Sequence, residues 1–205
     1  NDSSIVTVGA GVSAALASGA ATGAYAGSYG KNDTKAVVDG DSSIESAGSI
    51  EVSAKDNSSI NTAAGSIELA GSKDVAVTVG GAVVNTQLGR HVQAQLNDTQ
   101  LELAKNTTIN VLANDKSSTL NLALGGGIAI GGEMAGVAAQ GSVAVLSADG
   151  VTQATFDKVK LQAEADDVAV SVKANSDNRL TNSADALAIG GGGLGGGALG
   201  AAVSV

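Results

Sequence analysis

The amino-acid sequence predicts an all-β chain, a parallel β-helix (β-solenoid) built from 59-residue repeats with Gly/Ala-rich segments. Three observations carry that expectation: two sequence patterns recur at one spacing, apolar residues alternate with a period of two, and bulky filling residues are almost absent. Of the 205 residues 43% are hydrophobic, yet there are two Tyr, one Phe, one Met, no Trp and no Pro, against 29 Gly. An interior without aromatic rings must be thin and made of small and β-branched side chains. The regular recurrence of Val, Ile, Leu and Ala argues against disorder. Collagen is excluded by the missing Pro and the absence of a strict Gly-X-Y period.

The first repeated pattern is Ser49-Ile50-Glu51-Val52-Ser53-Ala54, then Thr108-Ile109-Asn110-Val111-Leu112-Ala113, then Asp167-Val168-Ala169-Val170-Ser171-Val172. Both steps are 59 residues, and each copy runs into a polar turn such as Lys55-Asp56-Asn57-Ser58-Ser59. The second is Thr34-Lys35-Ala36-Val37-Val38-Asp39, matched by 92–97 and 152–157 at steps of 58 and 60. Two anchors with one spacing define units at about 23–81, 82–141 and 142–200, after a partial unit 1–22 and before the start of another at 201–205. The expectation is a single β-solenoid region over 1–205. A third, looser element opens as a strand and ends in glycine, at Val6-Thr7-Val8-Gly9, Val77-Thr78-Val79-Gly80, Leu122-Ala123-Leu124-Gly125 and Leu187-Ala188-Ile189-Gly190.

Within the units Ile50, Val52 and Ala54 alternate with Glu51 and Ser53, and Val159, Leu161 and Ala163 with Lys160 and Gln162. That is the pattern of strands with one buried face. Ser-Ile pairs at 43–44, 49–50, 59–60 and 66–67 mark short strands between Ser, Asn, Asp and Gly turns. A repeat that exposes an apolar face must stack on its neighbour to hide it. With three turns per unit, each coil takes about 20 residues, giving about ten coils and a rod of roughly 50 Å at ~4.8 Å per coil. The lumen is expected to hold Val, Ile, Leu and Ala, with Val52, Val111 and Val170 inward and polar residues on the outer faces. Residues 186–202 hold eight Gly in 17 positions. Gly192, Gly196 and Gly200 fit a helix-packing spacing, but Glu133 and Gln140 interrupt the longest such stretch, and the adopted reading is extended backbone packed close on backbone.

Twenty acidic against eleven basic residues give a net charge of −9. This argues against nucleic-acid binding, which needs clustered Lys and Arg, and against docking on anionic lipid. No Cys is present, which removes disulfides, thiol nucleophiles and zinc-thiolate sites. The start lacks a basic, then apolar, secretion pattern, and the chain stops in mid-pattern at Val203-Ser204-Val205, so a piece of something longer is expected.

The order of a Gly/Ala-rich strand, Asn32-Asp33-Thr34-Lys35-Ala36, Ser43-Ile44 and Gly48-Ser49-Ile50-Glu51-Val52-Ser53-Ala54-Lys55 resembles the repeat regions of large filamentous-haemagglutinin-like and leukotoxin-like adhesins of Gram-negative bacteria. The resemblance covers almost the whole chain and lies in the style of the repeat. It implies a right-handed parallel β-helix shaft, type V secretion by two-partner or autotransporter routes, a place outside the cell or on its surface, and a role in attachment and biofilm.

The catalytic inventory points away from an enzyme. His91 is the only histidine, so a Ser-His-Asp triad would have to use it, and no Gly-x-Ser-x-Gly elbow exists. Its neighbours place it in a coil at a strand start. Asp39-Gly40-Asp41 and Asp166-Asp167 are the carboxylates nearest to a calcium pattern, but neither the EF-hand nor the Gly-Gly-x-Gly-x-Asp spacing occurs, so they read as solvated turns. A sugar-cleaving β-helix would need paired acids and aromatic platforms, and Tyr25, Tyr29 and Phe156 stand beside no acid pair. The sequons Asn97-Asp98-Thr99 and Asn106-Thr107-Thr108 read as turns. The expectation is therefore a structural shaft of a surface adhesin with no catalytic, cofactor-binding or metal residues. Its partners would be host surfaces or other bacterial cells, met through a longer parent protein. The alternative is an extracellular filament subunit joined end to end through strand edges. A membrane-active toxin segment built on the Gly/Ala runs ranks third.

Overall fold

In the computed structural model residues 2–16, 18–46, 48–163 and 168–205 are described. The strands are β1 (Ser4–Ala15), β2 (Gly19–Val38), β3 (Ser42–Ser46), β4 (Ser49–Asp56), β5 (Ser59–Ser72), β6 (Ala76–Asn97), β7 (Thr99–Leu103), β8 (Thr107–Asp115), β9 (Ser118–Gly131), β10 (Ala135–Asp157), β11 (Lys160–Ala163), β12 (Val168–Ser176), β13 (Arg179–Gly191) and β14 (Gly195–Ser204). They form four parallel sheets and no helix among the described residues. Wall A is β1-β5-β9-β13, wall B is β2-β6-β10-β14, wall C is β3-β7-β11 and wall D is β4-β8-β12. The fold is a parallel β-helix.

Each coil runs along B, turns through C and D, continues along A and folds back onto B. One repeat therefore makes one coil, not three. Ser4 pairs with Ser59, Ser59 with Ser118 and Ser118 with Arg179, steps of 55, 59 and 61 residues. The coil is long because wall B is long: β6 and β10 have 22 and 23 residues. The expected rod of ten small coils is replaced by a low stack of long ones. At ~4.8 Å per coil and ~3.3 Å per residue it is roughly 15–20 Å tall and about 70 Å along wall B. The short Ser-Ile strands that suggested small coils are the successive corners of one coil. Ile44, Ile50 and Ile60 lie in β3, β4 and β5, whereas Ser66-Ile67 falls inside β5.

Both anchor patterns stack as their spacing implied, with one shift. Val52 pairs with Val111, but Val111 pairs with Val172, and Val170 with Ile109. The two-residue slip keeps the same face inward, since side chains alternate with period two. Val52 and Val111 are buried; Val170 lies on the outermost strand of wall D and is exposed. The third pattern is not one position in the coil. Val6, Leu122 and Leu187 lie on wall A and Val77 on wall B, so both long walls use the same strand-to-glycine composition.

Two kinds of core fill the coil. Where C and D face the second half of B, Val92, Leu96, Leu101, Ile109 and Val111 are nearly fully buried, with Phe156 packed against them. Where A faces the first half of B the core is almost pure alanine: Ala24, Ala64, Ala82, Ala123 and Ala144 in one cluster, Ala20, Ala70, Ala76, Ala129 and Ala138 in the next. The coil is thus a wedge, wide at C and thin where A lies on B. Glycine sets the thin end. A methyl placed on Gly136 would overlap the carbonyl oxygens of Ala129 and Gly191, and one on Gly190 would meet those of Gly197 and Gly136. The Gly-rich stretch 186–202 is strand on either side of the turn at 192–194, extended there as the adopted reading required, and no helix is long and apolar enough to cross a membrane among the described residues.

The corner from B to C repeats one backbone solution. Asp41, Asp98 and Lys158 occupy it in successive coils at φ of 53°, 42° and 50°. Asp tolerates this left-handed region better than most residues. Lys158 Nζ then lies 3.9 Å from Asp98 Oδ1.

Candidate functional site

The residues with unusual chemistry fall into two buried polar seams and two exposed apolar faces. The expected all-apolar lumen is corrected by the seams, and the expected polar outer faces are corrected along the thin part of the wedge.

The first seam climbs between walls A and B. Thr7, Ser28, Thr62 and Thr86 are joined by hydrogen bonds of 2.8, 2.7 and 3.0 Å. Thr86 donates to Asn121 Oδ1 at 2.7 Å, and Asn121 Nδ2 donates to Val145 O at 2.8 Å and to Asn182 Oδ1 at 2.9 Å. Asn182 in turn donates to Val205 O at 2.7 Å. Asn121 and Asn182 are register partners, so their amides stack one above the other. Apart from the Asn121–Asn182 step, which runs up wall A, each step crosses from one wall to the other, which fixes the register between them.

The second seam closes the corner from D to A. Asp56 and Asp115 are register partners at the ends of β4 and β8, 0% and 1% exposed. Asn32 Nδ2 and Ser58 Oγ donate to Asp56 Oδ2 at 3.4 and 3.3 Å. Asn178 Nδ2 donates to Asp115 Oδ2 at 3.0 Å, and Ser117 Oγ to Asn178 Oδ1 at 2.6 Å. Arg90 reaches across from wall B and donates through Nη1 to Ser117 Oγ. Arg90 is thereby linked to Asp115 through Ser117 and Asn178. Asp56 Oδ1, Asp115 Oδ1 and Arg90 Nε find no partner. Beside them, Gly30, Asn32, Ile60, Leu88 and Thr119 line a narrow cleft. Deeper in the thin part, Glu68 and Gln140 are buried and their side-chain oxygens and amide nitrogen have no hydrogen-bond partner. Glu68 lies over Gly80 and Gln140 over Gly127, each long side chain filling the hole left by a glycine on the facing wall.

On the outer face of wall A the alternation puts the larger residue outside. Thr119, Asn121 and Ala123 are buried, while Leu120 and Leu124 are exposed. The facing wall leaves room for Ala and Gly only, so bulk is displaced outward. Ile67 and Leu69 on β5, Ile130 on β9 and Leu187 and Ile189 on β13 continue this surface. The outer face of wall B opposite is also uncharged along the thin part, with Val79, Val83, Val137, Val143, Leu199 and Val203 exposed.

The residues singled out from the sequence are dispersed. His91 is in the middle of β6 rather than in a coil at a strand start, outward and half-exposed, with Nδ1 3.4 Å from Asp33 Oδ1; Lys35 Nζ is 3.8 Å from the same oxygen. Gly40 N donates to Asp39 Oδ1 at 2.8 Å in the B-to-C corner. Asp166 and Asp167 lie outside the described residues. Among the described residues no three His, Cys, Asp or Glu side chains gather as metal ligands would. Tyr25 and Tyr29 are exposed on β2, far along the sequence from Phe156, which is partly buried against the core. In the two sequons, Thr99 Oγ1 donates to Asn97 O at 2.6 Å and Thr107 Oγ1 to Ala104 O at 2.8 Å, so both hydroxyls close turns.

The chain matches no protein-family model, and no curated protein or solved structure is significantly similar to it. The seams were missed in the sequence because Asp56 and Asp115 sit in turns that read as solvent-facing. The signal that could have found them is their recurrence at the 59-residue step, which a solvated turn does not need.

Proposed function

We propose that this chain is a structural segment of an extended, surface-exposed bacterial adhesin shaft. The observation that supports it is the stacking of one repeat per coil, in register, on all four walls. Such a unit does mechanical work: each added repeat lengthens the stack by one strand spacing, about 4.8 Å, and renews the same surfaces. The resemblance of the repeats to filamentous-haemagglutinin-like adhesins supplies the biological setting, secretion to the cell surface and attachment. In this reading adhesion strength comes from many weak contacts repeated along a longer parent.

Antibodies raised against the chain test the reading on cells that produce the parent protein. Immunogold label on fibres projecting from the outer surface, with attachment reduced by the antibodies, is the expected result. Label confined to the cell interior would overturn it.

A further inference from the structure

We infer that the outer face of wall A is a pairing surface for a second copy of this chain, wall A against wall A. Large aliphatics are exposed on all four of its neighbouring strands, Val8, Ile67, Leu69, Leu124, Ile130 and Leu187 among them. The only outward charges on these strands over the described residues, Arg179 and Asp185, sit on β13 at one edge. An uncharged strand surface can pack on another such surface, since two sheets pack face to face at about 10 Å.

The area fits this occupant. Four strands at ~4.8 Å and about ten residues at ~3.3 Å make a patch of roughly 600 Å². Two copies would remove about 1,200 Å² from water, the lower bound for a stable, specific interface. A two-fold pairing uses the same patch on both copies and closes on itself. A lipid bilayer fits less well. The turns at the thin tip of the wedge carry Lys73, Asp74 and Glu133, which would have to enter hydrocarbon, and the net charge of −9 is repelled by anionic headgroups. Pairing would bundle shafts side by side, an association distinct from end-to-end growth. It does not rest on the adhesin reading.

Sedimentation of the purified chain tests the inference. A dimer is expected below about 100 µM. Leu124→Glu should weaken it tenfold or more with an unchanged far-UV spectrum, and Val143→Glu on the outer face of wall B should leave it intact. Because the chain has no Cys, a second readout is independent of the charged variants. A short thiol crosslinker should join Leu124→Cys chains and not Glu51→Cys chains, whose cysteines lie on the outer face of wall D. A monomer at that concentration, a dimer indifferent to Leu124→Glu, crosslinking equal at both sites, or vesicle binding lost in Leu124→Glu without any dimer would each overturn the inference.

Discussion

Gly136 and Gly141 lie five residues apart in β10 and test the close approach of walls A and B with one chemical change, Gly→Ala. Gly136 points into the thin core. Its new methyl would overlap the carbonyl oxygens of Ala129 and Gly191 and lie 2.9 Å from the carbonyl carbon of Ala129, all backbone atoms that cannot rotate away. An ordinary contact with those oxygens needs about one ångström more, so the walls must separate locally, and overpacking of this kind costs about 1–3 kcal/mol. Gly141 points outward with nothing within 4 Å of the added methyl. There the only effect is the lower backbone entropy of the unfolded chain, which stabilises by about 0.4–1 kcal/mol. That entropy effect is common to both variants and cancels between them, so they should differ by the overpacking cost, about 1–3 kcal/mol. In a chain of this size 1 kcal/mol moves the melting temperature by roughly 2–4 °C, so thermal melts followed by circular dichroism should separate them by about 2–12 °C, with Gly136→Ala the lower of the two. If Gly136→Ala melts with or above Gly141→Ala, the walls are not held at alanine spacing and the wedge is wrong.

Val111→Asp should destabilise by several kcal/mol in a urea titration, because it places an unpaired charge in the widest part of the core; a wild-type midpoint would refute the inward assignment. Asn121→Ala removes the acceptor of Thr86 and the donor to Val145 and Asn182, and leaving those groups unpaired should cost about 1–3 kcal/mol each at most, read as a lower melting temperature. Glu68→Gln keeps the shape while replacing a buried carboxylate that has no partner; it should melt no lower than wild type, and a clear loss would reveal a partner for the carboxylate.

The sequence carried the fold class because stacking demands it: Ile50, Val52 and Ala54 must meet Ile109, Val111 and Ala113, and they do so at the step visible in the text of the chain. The size of the coil was hidden. Polar turns at 39–41, 57–58 and 104–106 look alike whether they separate coils or corners within one coil. Only the pairing distances distinguish the two. The inward carboxylates were hidden for a related reason. Asp56 follows the alternation that buries Val52 and Ala54, yet its place in an Asp-Asn-Ser-Ser turn outweighs that parity on sequence rules.

The wall spacing explains why period-two reading misassigned the outer faces. In Leu120-Asn121-Leu122-Ala123-Leu124 the rule that larger apolar residues point inward would bury the leucines. Burying them would require the usual spacing of packed sheets, about 10 Å; large aliphatics are buried instead in the wide part, where Leu96, Leu101 and Ile109 fill the wedge. The facing strand forbids this, because β10 offers Gln140, Ser142 and Ala144 inward and Gly136 meets backbone directly. Parity is thus decided by the smaller partner across the gap, not by the hydrophobicity of the strand itself. The same constraint makes the outer faces apolar, since a chain that alternates alanine with leucine has nowhere else to put the leucine. Exposed leucines on wall A follow from the tight interior, and a covering partner is what would recover the free energy they leave in water, about 25 cal/mol for each Å² covered.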